Sequence, residues 1–241
     1  MTQDHPLPMD TIEIWPFALA ESPQRAEALL ASLAADEKGR IHQGIFPEIG
    51  RRHAISRVGL RHILSCYLDV PPQEIPLTEG EHGKPLLATE DLAFNLSHTG
   101  DHAIVAVSGK GNLGVDLEKI RDNAPIEDLA LRCFSPQEYQ QWQQYPAELR
   151  VTSFFHLWAQ KEAFLKAHGG GMTIPLKDFD GNIDPAASSG TIQSRINGDS
   201  ERCWRFIASE IGPELRFAIV WDGEEKHISE RNPEDAGLSR W

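Results

Sequence analysis

Residues 150–167, RVTSFFHLWAQKEAFLKA, constrain the fold more than any other stretch of this chain. At 100° per residue, Val151, Phe155, Trp158 and Leu165 fall on one stripe, while Leu157 and Phe164 are apolar on the opposite side. A helix apolar on two sides belongs at the centre of a fold, with other elements packed on both faces. The triplet Gly169–Gly171 supplies its stop. Glu162 stands in the middle of the apolar stripe, where a lone carboxylate is costly unless something pairs with it. Lys166, one turn on, offers an i,i+4 ion pair worth only ~0.2–0.5 kcal/mol on a helix surface. The residues alone leave both a structural pair and a functional site open.

A second acidic feature precedes that helix. LGVDLEKI, residues 113–120, reads as a strand, so Asp116 and Glu118 point to one face and Val115 and Leu117 to the other. Two carboxylates a few ångströms apart are unfavourable unless solvent or a cation compensates them. An exposed, solvated strand face satisfies that condition, and so does a site for a hard divalent cation. If Glu162 meets them, three carboxylates make a Mg²⁺ site completed by water and phosphate oxygens. Lys161 and Lys166 would border it, and Lys84, His98 and an arginine-studded helix would add positive charge. That is equipment for phosphoryl transfer.

The bulk numbers exclude other classes. The 241 residues carry a formal charge of −13 and a pI near 5.2, which argues against binding to duplex nucleic acid. Cys66, Cys133 and Cys203 lie far apart with no C-x-x-C spacing, against a zinc site or a disulfide framework. The opening MTQDHPLPMD is polar and acidic, unlike a signal peptide, and no apolar run approaches the ~18 residues of a membrane span. The expectation is a cytoplasmic protein with no nucleic-acid or membrane partner.

Along the chain, IEIWPFAL (12–19) reads as a strand broken by Pro16, and AEALLASLAADEKGRI as a helix with Leu29, Leu30 and Leu33 on one face. Residues 48–68 form a stronger helix through Ile55, Val58, Ile63, Leu64 and Tyr67, stopped by Pro71-Pro72. Arg51, Arg52, Arg57 and Arg61 stud it, and a solvated face is the default reading for all but Arg52. LAFNLSHTGDHAIVAVSG reads as strand, turn, strand. Two helices follow the acidic strand, the second capped by Ser135 with Pro136 at its first position. After residue 171 come short strands: MTIPL, a segment around Asp180–Ile183, GTIQSRI, CWRFIAS and ELRFAIVW. HAIVAVS and RFAIVW echo one another, each ending a series that opens with a long helix. The reading is an α+β fold of two similar halves related by a pseudo-twofold axis: residues 1–110, residues 111–225, and a loose tail at 226–241.

Taken in order, GKPLL (83–87), FNLSHTG (94–100), LGVDLEKI (113–120), CFSPQEY (133–139) and FFHLWAQKEAFLKAHGGGM (154–172) resemble the 4′-phosphopantetheinyl transferases, specifically the larger, Sfp-type group. The family's strand signature reads GVDLE here and its helix signature reads WAQKEAFLK, both without departure. The resemblance spans about residues 50–180.

The resemblance implies transfer of the phosphopantetheine arm of coenzyme A to a serine of an apo acyl or peptidyl carrier protein, releasing adenosine 3′,5′-bisphosphate. It implies Mg²⁺ as cofactor, held by Asp116, Glu118 and Glu162, with Glu162 as base, directly or through a metal-bound water. Lys166 is assigned to the leaving phosphate and Lys161 to the pyrophosphate. Ser97, His98, Lys84 and Arg52 are assigned to coenzyme A, whose cleft would lie between the two halves of a monomer. Each also has a plainer reading: a turn-capping His98, a solvated Lys84. The resemblance is too loose around Lys38 and Arg40 to assign them to the 3′-phosphate. Because carrier proteins are commonly acidic, docking is expected on a local apolar or basic patch within 121–147, with Leu129, Leu131, Phe134 and Trp142 as candidates, although most of these also fit amphipathic-helix core positions. Two other functions fit the carboxylates alone: a Mg²⁺-dependent nucleotide pyrophosphohydrolase and a non-catalytic coenzyme A- or carrier-binding module.

Overall fold

A computed structural model describes residues 7–33, 37, 47–80, 83–88, 92–212 and 214–240. The fold is α+β and divides into two compact units, residues 1–110 with 227–241, and residues 111–226. Lys38 and Arg40 lie outside the described residues. No helix among the described residues is long and apolar enough to cross a membrane.

The first unit is built on a four-stranded sheet. Its strands are β1 (Thr11–Ala18), β4 (Ala93–Thr99), β5 (His102–Ser108) and β11 (His227–Glu230), in the order β11-β1-β5-β4. β2 (Leu77–Glu79) and β3 (Pro85–Leu87) form a separate hairpin. β1 runs unbroken through Pro16, contrary to expectation. Residues 16 and 18 point their nitrogens to the same side of the strand, and Ala18 N–H there donates to Ser239 O. Pro16 falls where the β11 ladder, which covers only Thr11–Ile14, has already ended, so its missing donor costs nothing.

Helices α1 (Pro23–Leu30) and α2 (Pro47–Leu68) pack together, and Ile55, Val58, Ile63 and Leu64 of α2 join Trp15, Phe17, Val105 and Val107 in one core. A Cβ at Gly59 would lie 2.4 Å from the Phe17 ring, so the helix sits on the sheet at a distance only glycine allows.

The expected loose tail is a structural part of this unit. β11 adds in parallel to β1, a 3-10 turn follows at Pro233–Ala236, and Ala236 and Leu238 are buried in the core. The sequence there lacks periodicity because four strand residues and a single turn are too short to show any.

The second unit is an antiparallel five-stranded sheet, β6-β10-β9-β8-β7, from β6 (Leu113–Lys119), β7 (Phe179–Asp180), β8 (Ser189–Ser194), β9 (Trp204–Glu210) and β10 (Leu215–Asp222). Helix α5 (Ala147–His168) lies across β6 and β10. Ala159, Ala163, Phe164 and Ala167 meet Phe206, Ala218 and Val220 of the sheet. On its other side Phe154, Phe155 and Leu157 meet Phe134 and Trp142 from α3 (Ile126–Cys133) and α4 (Pro136–Gln143). The helix thus serves two separate cores, though they do not follow the two stripes read from the sequence: Phe155 and Leu157 share one core, Phe164 and Leu165 the other. α4 opens with a complete capping box between Ser135 and Glu138, and α5 stops at Gly169 with φ 86°. MTIPL is not a strand: 3-10 turns at Gly171–Thr173 and Leu176–Asp178 occupy that stretch.

Candidate active site

The site grows from one close approach. A Cβ at Gly114 would lie 2.1 Å from Ala163 O and 2.5 Å from Ala167 N, so glycine lets α5 rest directly on β6. By the period-2 rule Gly114, Asp116 and Glu118 share that face of the strand. The two strand carboxylates therefore emerge beneath the last turns of α5, which carry Glu162 and Lys166. Lys166 Nζ donates to Asp116 Oδ1 at 2.7 Å and to Val115 O at 3.1 Å. Trp158 Nε1 donates to Glu118 Oε1 at 3.0 Å. The i,i+4 Glu162–Lys166 relation is electrostatic, but the short ammonium contact goes to the strand.

The electrostatics are those of crowded carboxylates. Burial and then the negative charge of Asp116 push Glu118 up to about 7, against the pull of the Trp158 N–H, Arg121 and Lys166. Burial and then Asp116 also raise Glu162, with Lys166 opposing. An all-oxygen donor set whose members destabilise one another's charge is suited to a hard dication. Among the described residues no three His, Cys, Asp or Glu side chains form a ready-made metal cage. Asp116 Oδ1 is turned to Lys166 and Glu118 Oε1 to Trp158. In donor chemistry the set would suit a hard cation such as Mg²⁺ that completes its shell with other oxygens.

Lys161 requires a correction. Its ammonium is fully buried, 2.8 Å from Glu138 Oε2, and donates to Leu176 O at 2.7 Å and Phe179 O at 2.8 Å. All three donors are committed inside the unit, so the residue is not a pyrophosphate ligand. Adjacent helix positions differ by ~100°, and this sends Lys161 into the core while Glu162 faces the strand.

In the first unit, Arg52 of α2 pairs with Asp101 in the turn between β4 and β5, Nε to Oδ1 at 2.6 Å. His98, exposed on β4, lies edge-on to His53 with ring centroids 6.3 Å apart. Arg52 and His98 are thus brought to one corner, where α2 meets the hairpin tip. Ser97, one residue from His98, is buried on the opposite strand face. Lys84 sits in the β2–β3 turn with its carbonyl accepting from Gly80 N–H at 2.8 Å. Arg57 and Arg61 are not a solvated face: their Nε atoms both reach Glu37 at 2.7 Å, and Arg61 also donates to Pro72 O and Ile75 O. A small cavity nearby is lined by Glu37, Gly50, His53, Ala54, Arg57 and Glu79.

Two of the docking candidates are core. Phe134 and Trp142 are 1% exposed, Leu129 is partly buried, and Leu131 alone is open at 56%. The sequence reading missed Trp158 as the partner of Glu118 and Gly114 as the seat of the helix. The signal for Gly114 was available, because a glycine two residues before the first carboxylate shares its face.

With this geometry in place, the relatives of the chain are informative. Residues 112–227 match the profile of the 4′-phosphopantetheinyl transferase superfamily, and residues 20–110 match that of the 4′-phosphopantetheinyl transferase N-terminal region. The chain is 38% identical over 167 residues to the 4′-phosphopantetheinyl transferase HetI of Nostoc, covering 68% of this chain and 70% of that one. It is 31% identical to a 4′-phosphopantetheinyl transferase of Bacillus subtilis, covering 64% and 67% of the two chains. It is 29% identical to the mouse L-aminoadipate-semialdehyde dehydrogenase-phosphopantetheinyl transferase, covering 94% and 80%. The chain belongs to the 4′-phosphopantetheinyl transferase superfamily. It is accordingly an enzyme of the transferase class, and neither the pyrophosphohydrolase nor the non-catalytic module is favoured.

Proposed function

We propose that this protein, acting as a monomer, transfers the 4′-phosphopantetheine arm of coenzyme A to a serine hydroxyl of an apo acyl or peptidyl carrier protein. The observation that carries this reading is the Lys166–Asp116 contact at 2.7 Å with Glu118 and Glu162 crowded around it. A bound Mg²⁺ would supply charge neutralisation on the pyrophosphate. Asp116, Glu118 and Glu162 would hold it, which would relieve their mutual repulsion.

The reaction forms a bond from the serine oxygen to the β-phosphorus and breaks the bond from that phosphorus to the bridging oxygen. Adenosine 3′,5′-bisphosphate leaves with the electron pair. Glu162 accepts the serine proton. Lys166 turns from Asp116 to the leaving phosphate, donating a hydrogen bond to the charge that develops there. Arg52, Lys84 and His98 of the first unit are the candidates for contacts to coenzyme A, whereas Ser97 is buried on the opposite strand face and would act only through the backbone around it.

Intact-mass spectrometry tests the reading. Apo carrier proteins from synthase and peptide-synthetase systems are incubated with coenzyme A, Mg²⁺ and the enzyme. A mass gain of one phosphopantetheine group, lost on removing Mg²⁺ and in Glu162→Gln, is the expected result. Release of adenosine bisphosphate without a carrier would instead mark a pyrophosphohydrolase.

A further inference from the structure

Lys161 precedes the proposed base in the chain, yet its charge is committed elsewhere. The ammonium holds Glu138 Oε2 and the carbonyls of Leu176 and Phe179, and lies 4.5 Å from the centre of the Phe179 ring. Glu138 is equally committed: Oε2 accepts from Ser135 N–H at 2.7 Å and Oε1 from Gly181 N–H at 2.9 Å. The neighbouring Gln160 fastens the same segment, accepting from Asn182 N–H and donating to Asn182 O, both at 2.9 Å. Two consecutive side chains of α5 thus tie it to the first turn of α4 and to residues 176–182.

The pair is not explained by stability. Burial pushes Lys161 down and Glu138 up, and each holds the other charged. A buried ion pair is commonly no more stabilising than an apolar pair of the same volume. What it does supply is geometry. Its hydrogen bonds fix the roll of α5 about its axis at the turn that carries Glu162, one turn before Lys166. A roll of about 20° moves a side-chain tip by roughly 2 Å on a helix of this radius. Misplacement of a reacting group by about 1 Å costs on the order of 10²-fold in rate.

We propose that Lys161 and Glu138 are positioning residues for the transfer: their buried pair sets the roll of α5, and so the aim of Glu162 and Lys166, without touching coenzyme A or the carrier. The inference rests on the transferase reading above.

The test uses Lys161→Met, Glu138→Gln and the double variant, with coenzyme A affinity measured by calorimetry beside steady-state kinetics. Each single variant is expected to lower kcat at least ten-fold while KM and the calorimetric Kd for coenzyme A stay within two-fold. The double variant, with no uncompensated charge, is expected to recover melting temperature but not kcat. Glu138→Gln keeps the shape and one of the two carboxylate acceptors, enough to cap Ser135 N–H at the expense of the Gly181 bond, and it carries the test should Lys161→Met fail to fold. A raised KM and Kd at unchanged kcat would overturn the inference and make Lys161 a ligand of the coenzyme. Recovery of kcat together with melting temperature would overturn it in favour of a purely structural pair. A wild-type enzyme inactive on every carrier would overturn the transferase reading itself, an outcome distinct from an active wild type with unaffected variants.

Discussion

The indole N–H of Trp158 donates to Glu118 Oε1 at 3.0 Å, tying the helix to the strand through a carboxylate whose pKa is pushed up to about 7. The indole is itself held by a stack on Phe154, with centroids 5.7 Å apart and planes at 19°. Trp158→Phe keeps the stack and deletes the donor. Groups that orient a metal-ligating carboxylate typically contribute about 10- to 100-fold in metal affinity. The Mg²⁺ concentration for half-maximal transfer is expected to rise by that factor, while the far-ultraviolet spectrum is unchanged. A magnesium titration identical to wild type would refute the role.

The Lys166–Asp116 contact makes a separate prediction. Lys166 is partly exposed, at 29%, but Asp116 is buried, so in the absence of metal loss of the lysine should lower the melting temperature modestly. Its proposed work is at the leaving phosphate, where removing one aligned donor costs about 10²- to 10³-fold in kcat. Lys166→Met is expected to fall in that range with coenzyme A still bound. A kcat within five-fold of wild type, measured by carrier mass shift, would rule the assignment out.

How much of this was legible beforehand follows from the range of the forces involved. The strand and helix carboxylates were visible because a charge at an apolar-periodic position is a local anomaly. The side to which each points was not. Lys161 and Glu162 are neighbours in sequence, and only the packing of α4 and residues 176–182 around α5 decides that one is core and the other faces β6. Arg57 and Arg61 were misread for the same reason, since their partner Glu37 stands 20 and 24 residues away. The Ser135 cap and the Gly169 stop were read correctly because they are local backbone chemistry.

Gly114 is the point at which fold and site depend on the same atom. Gly114→Ala places its methyl against backbone atoms of α5, which cannot rotate aside. The helix must lift from β6, costing about 1–3 kcal/mol or more in overpacking. The same lift separates Lys166 from Asp116. Melting temperature and transfer rate should therefore fall together, whereas Lys166→Met acts mainly on the rate. A Gly114→Ala protein with both intact would mean that α5 and β6 are not held this closely.

Acid stability should be governed in part by His156. Burial first, and then the Arg216 guanidinium, push it down to about 4, with Asp184 and the Ala187 backbone pulling the other way. Its folded-state pKa lies below the unfolded value near 6.5, so the unfolded chain binds the proton first. Its contribution to stability is fully present above pH ~6.5 and is lost as pH falls toward 4, to an upper figure of roughly 3 kcal/mol. Denaturant melts at pH 7, 5.5 and 4.5 should show this fall, and His156→Gln should flatten the slope. An unchanged slope in that variant would assign the acid sensitivity to other groups.

The C-terminal segment closes the first unit, so truncation there should behave as a core mutation. Removing residues 227–241 strips the parallel partner from Thr11–Ile14 and exposes the edge of β1. It takes Ala236 and Leu238 out of the core. It also breaks the Glu13–Arg231 ion pair and the contact from His62 to Ala236 O. Burial of a leucine side chain alone contributes ~1.5–3 kcal/mol, a large share of the ~5–15 kcal/mol that holds a domain together. The truncated protein is expected to be aggregation-prone, with its lower-melting transition shifted down by well over 5 °C. Leu238→Ala, which leaves the strand and the ion pair in place, is expected to cost about 2–4 kcal/mol and to remain soluble. Because neither change touches Asp116, Glu118, Glu162 or Lys166, kcat measured below the transition should survive in Leu238→Ala. A truncated chain that melts like the full one would mean that the last fifteen residues do not hold the sheet together.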